Sequence, residues 1–301
     1  MLARIAPYVA FVSATILKRA AARMDRREHA WIGYKLTRDR FSPEVKSFAQ
    51  FCNLTVHAWK NRNFELDVNG ELELLGKLGA FNLQTVLDVG ANAGDWASAA
   101  WRLLPGATIH AFEISPDTSA LLRTNIERIV SDGRVIVNDI GLSDRAATVP
   151  IYQLPSDSTT TSTQAFILDA QTRGEPIVLE AQVIRGDDYL RTHSIEHVDL
   201  LKVDVEGAEK SVLDGFSGAL DRDAISMIQL EYGWPNAYAG FLLKDMHAMF
   251  RTRGYVFGKI YPEGVAFKTY ELDDEDFLGP NYLACRAERE DIIAALRCPV
   301  P

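Results

Sequence analysis

The sequence predicts an α/β protein with a doubly wound, mainly parallel sheet and helices on both faces, and three observations predict it. Between Thr85 and Val137, apolar stretches of strand length alternate with helix-length stretches at the spacing of βαβ units. The first strand, with Val86, Leu87 and Val89, runs straight into the small-residue turn Gly90-Ala91-Asn92-Ala93-Gly94 and then into a helix. Acidic residues recur at the strand ends: Asp88, Glu113, Asp139, Asp204 and Glu231. In an open α/β sheet that edge is where ligands bind.

Residues 1–80 read as a helical N-terminal extension. Leu2 to Leu17 is mostly apolar but is interrupted by Arg4, Pro7, Ser13 and Thr15. It falls short of the ~20 apolar residues of a membrane span. Its basic residues (Lys18, Arg19, Arg23, Arg26, Arg27) follow the apolar run, whereas a signal peptide carries them in front. No integral membrane segment is expected. The expectation is an amphipathic helix packed on the body or on a twin subunit in a homodimer; the alternative is peripheral membrane contact through the basic stretch. Pro43 to Trp59 reads as a helix, Asn63 to Val68 as a short extended piece, and Glu71 to Gly79 as the helix leading into the first strand.

The catalytic-type domain spans 81–290. Trp96 to Leu104 is a helix stopped by Pro105-Gly106. Thr108 to Phe112 is the second strand, Pro116 to Val130 a helix, and Arg134 to Val137 the third strand. Ala146 to Tyr152 and Pro176 to Ile184 read as two antiparallel strands flanking an insert at 153–182. Its polar stretch Pro155 to Gln164 is expected to be an irregular loop or a substrate lid. Val198 to Val203 is the fourth parallel strand, followed by a helix from Ala208 to Leu220. Ala224 to Leu230 is the fifth strand, Gly240 to Arg253 a helix, and Tyr255 to Ile260 the sixth strand. An acidic loop, Glu271 to Asp276, precedes a last strand at Asn281 to Cys285, and 291–301 is a tail.

The turn after the first strand suits a nucleotide-like ligand, because small residues let a ligand lie against backbone at a helix N-terminus. A dinucleotide fingerprint needs G-x-G-x-x-G, but Asn92 stands where its second glycine would be. Asp88 would face a diphosphate badly and suits the ammonium of an amino-acid end. Glu113 is placed to grip the ribose hydroxyls of an adenosine. Asp139 either accepts from an adenine amino group or caps a turn. In Asp204-Val205-Glu206-Gly207, the two carboxylates can serve as general base, divalent-cation ligands or helix caps. Glu231 brings a further acid to the same edge. His57, His110 and His247 are candidate bases, with His110 expected to be packed inside its strand.

The chain has 41 acidic and 32 basic residues, a net charge of -9, which points away from nucleic acid as the main partner. Cys52, Cys285 and Cys298 are widely spaced, with no C-x-x-C pair, so neither a disulfide framework nor a thiolate metal site is expected. A reducing, cytoplasmic setting follows.

The stretches VLDVGANAGDW (Val86 to Trp96), Phe112-Glu113 followed by Pro116, GLSD (Gly141 to Asp144) and LLKVDVEGAE (Leu200 to Glu209) resemble the FkbM-type S-adenosylmethionine-dependent methyltransferases over roughly 80–260. The resemblance implies a seven-stranded, Rossmann-like methyltransferase sheet whose last strand is antiparallel. It implies S-adenosylmethionine as cofactor, with Asp88, Gly90, Asn92 and Gly94 at its methionine and turn side, Glu113 at its ribose and Asp139 at its adenine. Asp204 and Glu206 would face the methyl group and the acceptor. The expected reaction is O-methylation of a hydroxyl on a sugar, a glycan or a natural-product small molecule. Catalysis is expected from Asp204, Glu206 and Glu231, around a divalent cation such as Mg²⁺. The alternatives are N- or carboxyl-methylation of a peptide or other small molecule, and a cofactor-binding interaction protein without turnover.

Overall fold

The computed structural model describes residues 15–154, 157–163 and 177–300. The chain divides into two compact units, Met1–Ala58 and Trp59–Pro301. In the first, Arg26–Leu36 is a helix that starts in a capping box. The Asp25 carboxylate accepts the N–H of Arg27 and Glu28 at 2.8 and 2.9 Å, and Glu28 accepts the N–H of Asp25 at 2.9 Å. This helix and Pro43–Trp59 bury no residue. The apolar run at Leu2 to Leu17 lies almost wholly outside the described residues, among which no helix is long and apolar enough to cross a membrane.

The second unit is built on an eight-stranded sheet in the order β11-β10-β12-β9-β8-β1-β2-β3. Its strands are β1 Thr85–Val89, β2 Thr108–Phe112, β3 Val135–Asn138, β8 Val198–Val203, β9 Ile225–Glu231, β10 Tyr255–Tyr261, β11 Gly264–Phe267 and β12 Asn281–Arg286. Neighbours among β1, β2, β3, β8 and β9 pair in parallel. The last strand, β12, runs antiparallel to both β9 and β10. The expected count of seven is corrected to eight. β11 returns antiparallel on β10, with Tyr261 opposite Gly264, and at four residues it is too short to show an alternating pattern.

A second sheet, in the order β4-β7-β5-β6, is inserted between β3 and β8. It consists of β4 Gly141–Ser143, β5 Ala147–Leu154, β6 Asp157–Ser162 and β7 Ile177–Arg185. β5 and β7 form the expected antiparallel pair. Part of the polar insert is a strand rather than an irregular loop: β6 pairs antiparallel with β5. Its Thr159-Thr160-Thr161 run is β-branched, which suits an extended chain. Residues 164–176 of the insert lie outside the described residues.

Helices cover both faces of the main sheet. On one face, Leu74, Leu75, Leu78, Trp96, Ala97 and Ala100 pack with Ile292, Ile293 and Leu296. On the other, Val212, Leu213, Phe216, Leu243, Met246 and Phe250 pack with Tyr189. The segment read as a tail begins in a helix, Glu290–Leu296, whose Ile292 and Leu296 are fully buried. The helix expected over Pro116 to Val130 divides at Ile126 into Pro116–Asn125 and Glu127–Val130. Asn63 to Val68 is not a strand; the Asn63 side chain accepts the Glu65 N–H at 3.0 Å, a local bond that favours a turn.

Candidate active site

The end of β1 folds against the end of β2. The N–H groups of Gly90 and Ala91 both donate to the Phe112 carbonyl, at 3.0 and 2.9 Å. Gly90 has φ +87°, and a Cβ there would lie 1.8 Å from the Asp204 carbonyl oxygen, so only glycine fits. Asn92 takes a left-handed φ of 49°, which a short amide tolerates. Its N–H donates to Glu113 Oε2 at 2.9 Å, while the Ser115 N–H donates to Oε1 at 2.9 Å. Glu113 is buried, which raises its pKa; these backbone donors work against the rise. The Asp204 N–H donates to the Val89 carbonyl at 3.0 Å and ties the end of β8 to that of β1.

Two cavities meet here, both lined by Gly90, Asn92 and Asp204. One, of about 320 Å³, is walled by Val89, Phe112, Glu113 and Ile114 at the main sheet, and by Leu142, Val149, Thr161 and Val183 of the second sheet with Thr163 just beyond β6. Glu206 lines it too. The other, of about 310 Å³, is lined by Glu71, Asp95, Trp96 and Lys202. Glu71 is fixed by three amides: Asn69, Gln229 and Asn281 each donate to its carboxylate at 2.7 Å.

Lys202 is buried between two carboxylates. Its Nζ lies 3.0 Å from Asp204 Oδ2 and 3.5 Å from Asp88 Oδ1, and 5.7 Å from the Trp96 ring centre. Burial opposes its charge, but Asp204, Asp88 and Glu71 hold its pKa above the ordinary value. Asp88 is fully buried and lines neither cavity, and among the described residues Lys202 is its one ion-pair partner. Burial pushes it up to about 6 against the pull of Lys202. For Asp204 burial works upward, but Lys202 and a hydrogen bond with Glu231 hold its carboxyl below the usual range. Glu231 is half-buried at the end of β9; burial and the Asp204 charge push it well above that range.

The turn that carries Glu206 is held from both sides. Glu206 and Gly207 take φ 51° and 98°. Behind them, buried Glu209 accepts the N–H groups of Gly207 and Val205 at 3.1 and 3.3 Å and the Asn236 amide at 2.9 Å. Glu209 thus braces the turn from within the first position of the next helix, which has no side-chain cap. In front, Ser162 Oγ of β6 donates to the Glu206 carbonyl at 2.8 Å. Burial, then the Asp204 and Glu209 charges, push the Glu206 carboxyl up to about 8.

The structure thus brings Gly90, Asn92, Glu113, Asp204 and Glu206 to the cavities, sets Asp88 beneath them, and places Glu231 against Asp204. Gly94, at φ +95°, packs on Leu122 and Ile126 instead of lining either space. Asp139 lies apart, accepting from Ser119 and paired with Arg123 at 2.7 Å. Nothing in the geometry supports the divalent cation expected at Asp204, Glu206 and Glu231. Among the described residues no group of three or more His, Cys, Asp or Glu is disposed to hold a metal ion, and the Lys202 ammonium already sits at Asp204. His110 is packed as expected, its Nδ1 2.8 Å from the Tyr189 hydroxyl, with burial and His193 lowering it to about 4. Lys202, Glu71, Ser162 and Ile114 were not picked out from sequence; only Lys202 left a signal there, as a charge inside an otherwise apolar strand.

The model of the Methyltransferase FkbM domain family matches residues 88–257. The 31-O-demethyl-FK506 methyltransferase FkbM of Streptomyces tacrolimicus is 32% identical over 160 residues, covering 44% of this chain and 60% of that protein. The hexuronic acid methyltransferase AglP of Haloferax volcanii is 28% identical over 227 residues, covering 73% of this chain and 84% of that one. The 2-O-methyltransferase NoeI of Sinorhizobium fredii is 26% identical over 168 residues, covering 52% and 66%. With a family match over more than half its length that takes in Asp88, Glu113 and the whole Asp204 to Glu209 turn, this chain belongs to the FkbM methyltransferase family.

Proposed function

We propose that this chain is an S-adenosylmethionine-dependent methyltransferase acting on a hydroxyl of a sugar, a glycan or a natural-product small molecule. The observation that carries the reading is the pair of cavities joined at Gly90, Asn92 and Asp204, one with the buried carboxylate of Glu113 and the other with both signs of charge. Glu113 would hold the ribose hydroxyls, and Phe112, Ile114 and Leu142 would line the base. Glu71 and Asp204 suit an ammonium, and Lys202 a carboxylate, so the second cavity matches an amino-acid end. Asp88 supports this from below by keeping Lys202 charged and in place. The names of the relatives, two of them O-directed, support oxygen as the atom methylated.

S-adenosylmethionine, when bound, supplies a methyl group activated by a cationic sulfonium. The chain's own part is to orient the acceptor and take its proton. Glu206, its carboxyl pushed up to about 8 by burial and its side chain on the cavity wall, is the general base for the acceptor hydroxyl. Asp204 stays ionised between the cavities and orients the acceptor through a hydrogen bond. The second sheet walls the site and excludes water. No step is assigned to a metal, because Lys202 supplies the positive charge at Asp204.

The test is transfer of labelled methyl to a panel of hydroxylated acceptors, with and without chelator. Transfer that survives chelator is expected; loss on chelation with recovery on adding Mg²⁺ would return the metal to the mechanism. Transfer confined to amines or carboxylates would replace the oxygen reading. Tight cofactor binding with no transfer to any acceptor would mark a binding protein.

A further inference from the structure

A third cavity, of about 310 Å³, lies where β10, β11 and β12 meet the helix Leu243–Thr252 and the acidic loop, and it shares no lining residue with the other two. Three lysines line it. Lys60 is paired with Asp276 at 2.7 Å, and Lys268 with Asp274 and Glu271 at 3.0 and 3.1 Å. Lys259 is different. It is 8% exposed and has no carboxylate within ion-pair distance among the described residues. Its Nζ donates to the Leu278 carbonyl at 3.2 Å and lies 5.6 Å from the Tyr282 ring centre. An ammonium has three donors, so two remain to be met at a buried position where an uncompensated charge is costly. At the mouth, Asp273 is exposed and in no ion pair among the described residues. The cavity is therefore cationic at its base, acidic at its rim, and flanked by Tyr261 and Tyr282.

We infer that this cavity is a second ligand site, which takes a small monocarboxylate bearing hydrogen-bond donors at its other end. The carboxylate meets Lys259 and the donors face Asp273. A dianion would be repelled by the acidic rim, and a neutral polyol would leave Lys259 unmatched. The volume falls in the range of small-molecule pockets. A sugar acid and a free amino acid share this chemistry. Burial lowers Lys259 to about 8; Asp276 and Asp274 act to raise it and Lys60 to lower it, with Tyr282 on β12 and a His247 lowered to about 4 on the facing helix. Carboxylate binding therefore weakens as pH rises through about 8.

Calorimetry on the full chain with glucuronate, glutamine and glucose tests this, with S-adenosylmethionine titrated into the same samples. Glucuronate or glutamine is expected to bind and glucose not to, and which acid binds identifies the source. Binding should be about tenfold or more weaker at about pH 9.5 than at pH 7, as Lys259 loses its proton. Lys259→Met should abolish it and Lys259→Arg retain part of it, with S-adenosylmethionine affinity unchanged in both. The pH arm needs no variant, so a misfolded mutant does not blunt the test. The site is refuted if neither acid binds at millimolar concentration, if glucose binds as well as glucuronate, or if Lys259→Met binds like the parent. Failure of S-adenosylmethionine binding alone would count against the proposed function and leave this site standing.

Discussion

Lys202 sits under two carboxylates that would otherwise repel one another, 3.0 Å from Asp204 and 3.5 Å from fully buried Asp88. Removing it leaves Asp88 without a counter-charge, so Lys202→Met should lower stability by about 3–5 kcal/mol, read from urea midpoints. Asp88→Asn in the same background should recover part of that loss. Glu206→Gln should lower kcat by about a hundredfold or more, the usual scale of a general base, and change S-adenosylmethionine affinity little. In the parent, kcat should rise as pH passes through about 8, because the base must be deprotonated. A flat profile, or full turnover in the glutamine variant, would remove Glu206 from that role. Glu113 and Asp204 were legible in sequence because strand ends face ligands in this fold. Glu71 was not, since the amides that fix it come from Gln229 and Asn281, far along the chain.

Among the elements, the parallel strands were legible because each is an apolar run closed by a turn. The β-strand at Asp157–Ser162 was not, because its residues are polar and its partner is the inserted β5. Its Ser162 hydroxyl holds the Glu206 carbonyl, so Ser162→Ala should cost about 1 kcal/mol and lower kcat more than it raises the S-adenosylmethionine Kd. The C-terminal helix was hidden for another reason: seven residues show only two helical turns of pattern. Leu296→Ala should nonetheless destabilise the second unit by about 2–5 kcal/mol, as a truncation in a close-packed core does. A change within error would mean that this helix is not part of the folding unit.

For the molecule as a whole, the site holds acids that are uncharged more often than in the unfolded chain. Asp88, Glu209 and Glu206 are raised to about 6, 7 and 8, burial being the main cause in each. Raised acids contribute stability that is complete below their unfolded pKa and is lost as pH climbs through the folded values. Glu206→Gln should therefore match the parent near pH 4 and be the more stable of the two above pH 8. A cationic cofactor favours the ionised acids, so its binding should release protons and tighten between pH 6 and 8. Calorimetry in buffers of different ionisation heat checks this, and proton uptake would contradict it. In the N-terminal unit, Trp31, Tyr34, Phe51 and Leu54 are exposed.

The second sheet enters the chain between β3 and β8 and reaches the Glu206 turn through Ser162, while Glu71, Lys202 and the turn at Gly90 come from other stretches. The cavity beside the second sheet thus joins residues from distant stretches of the chain, Glu113 and Glu206 among them. Varying Val149, Thr161, Thr163 and Val183 together should therefore change which hydroxyls are accepted and, because these residues share a cavity with Glu113, shift the hold on the methyl donor as well, so that selection for a new acceptor has to watch both.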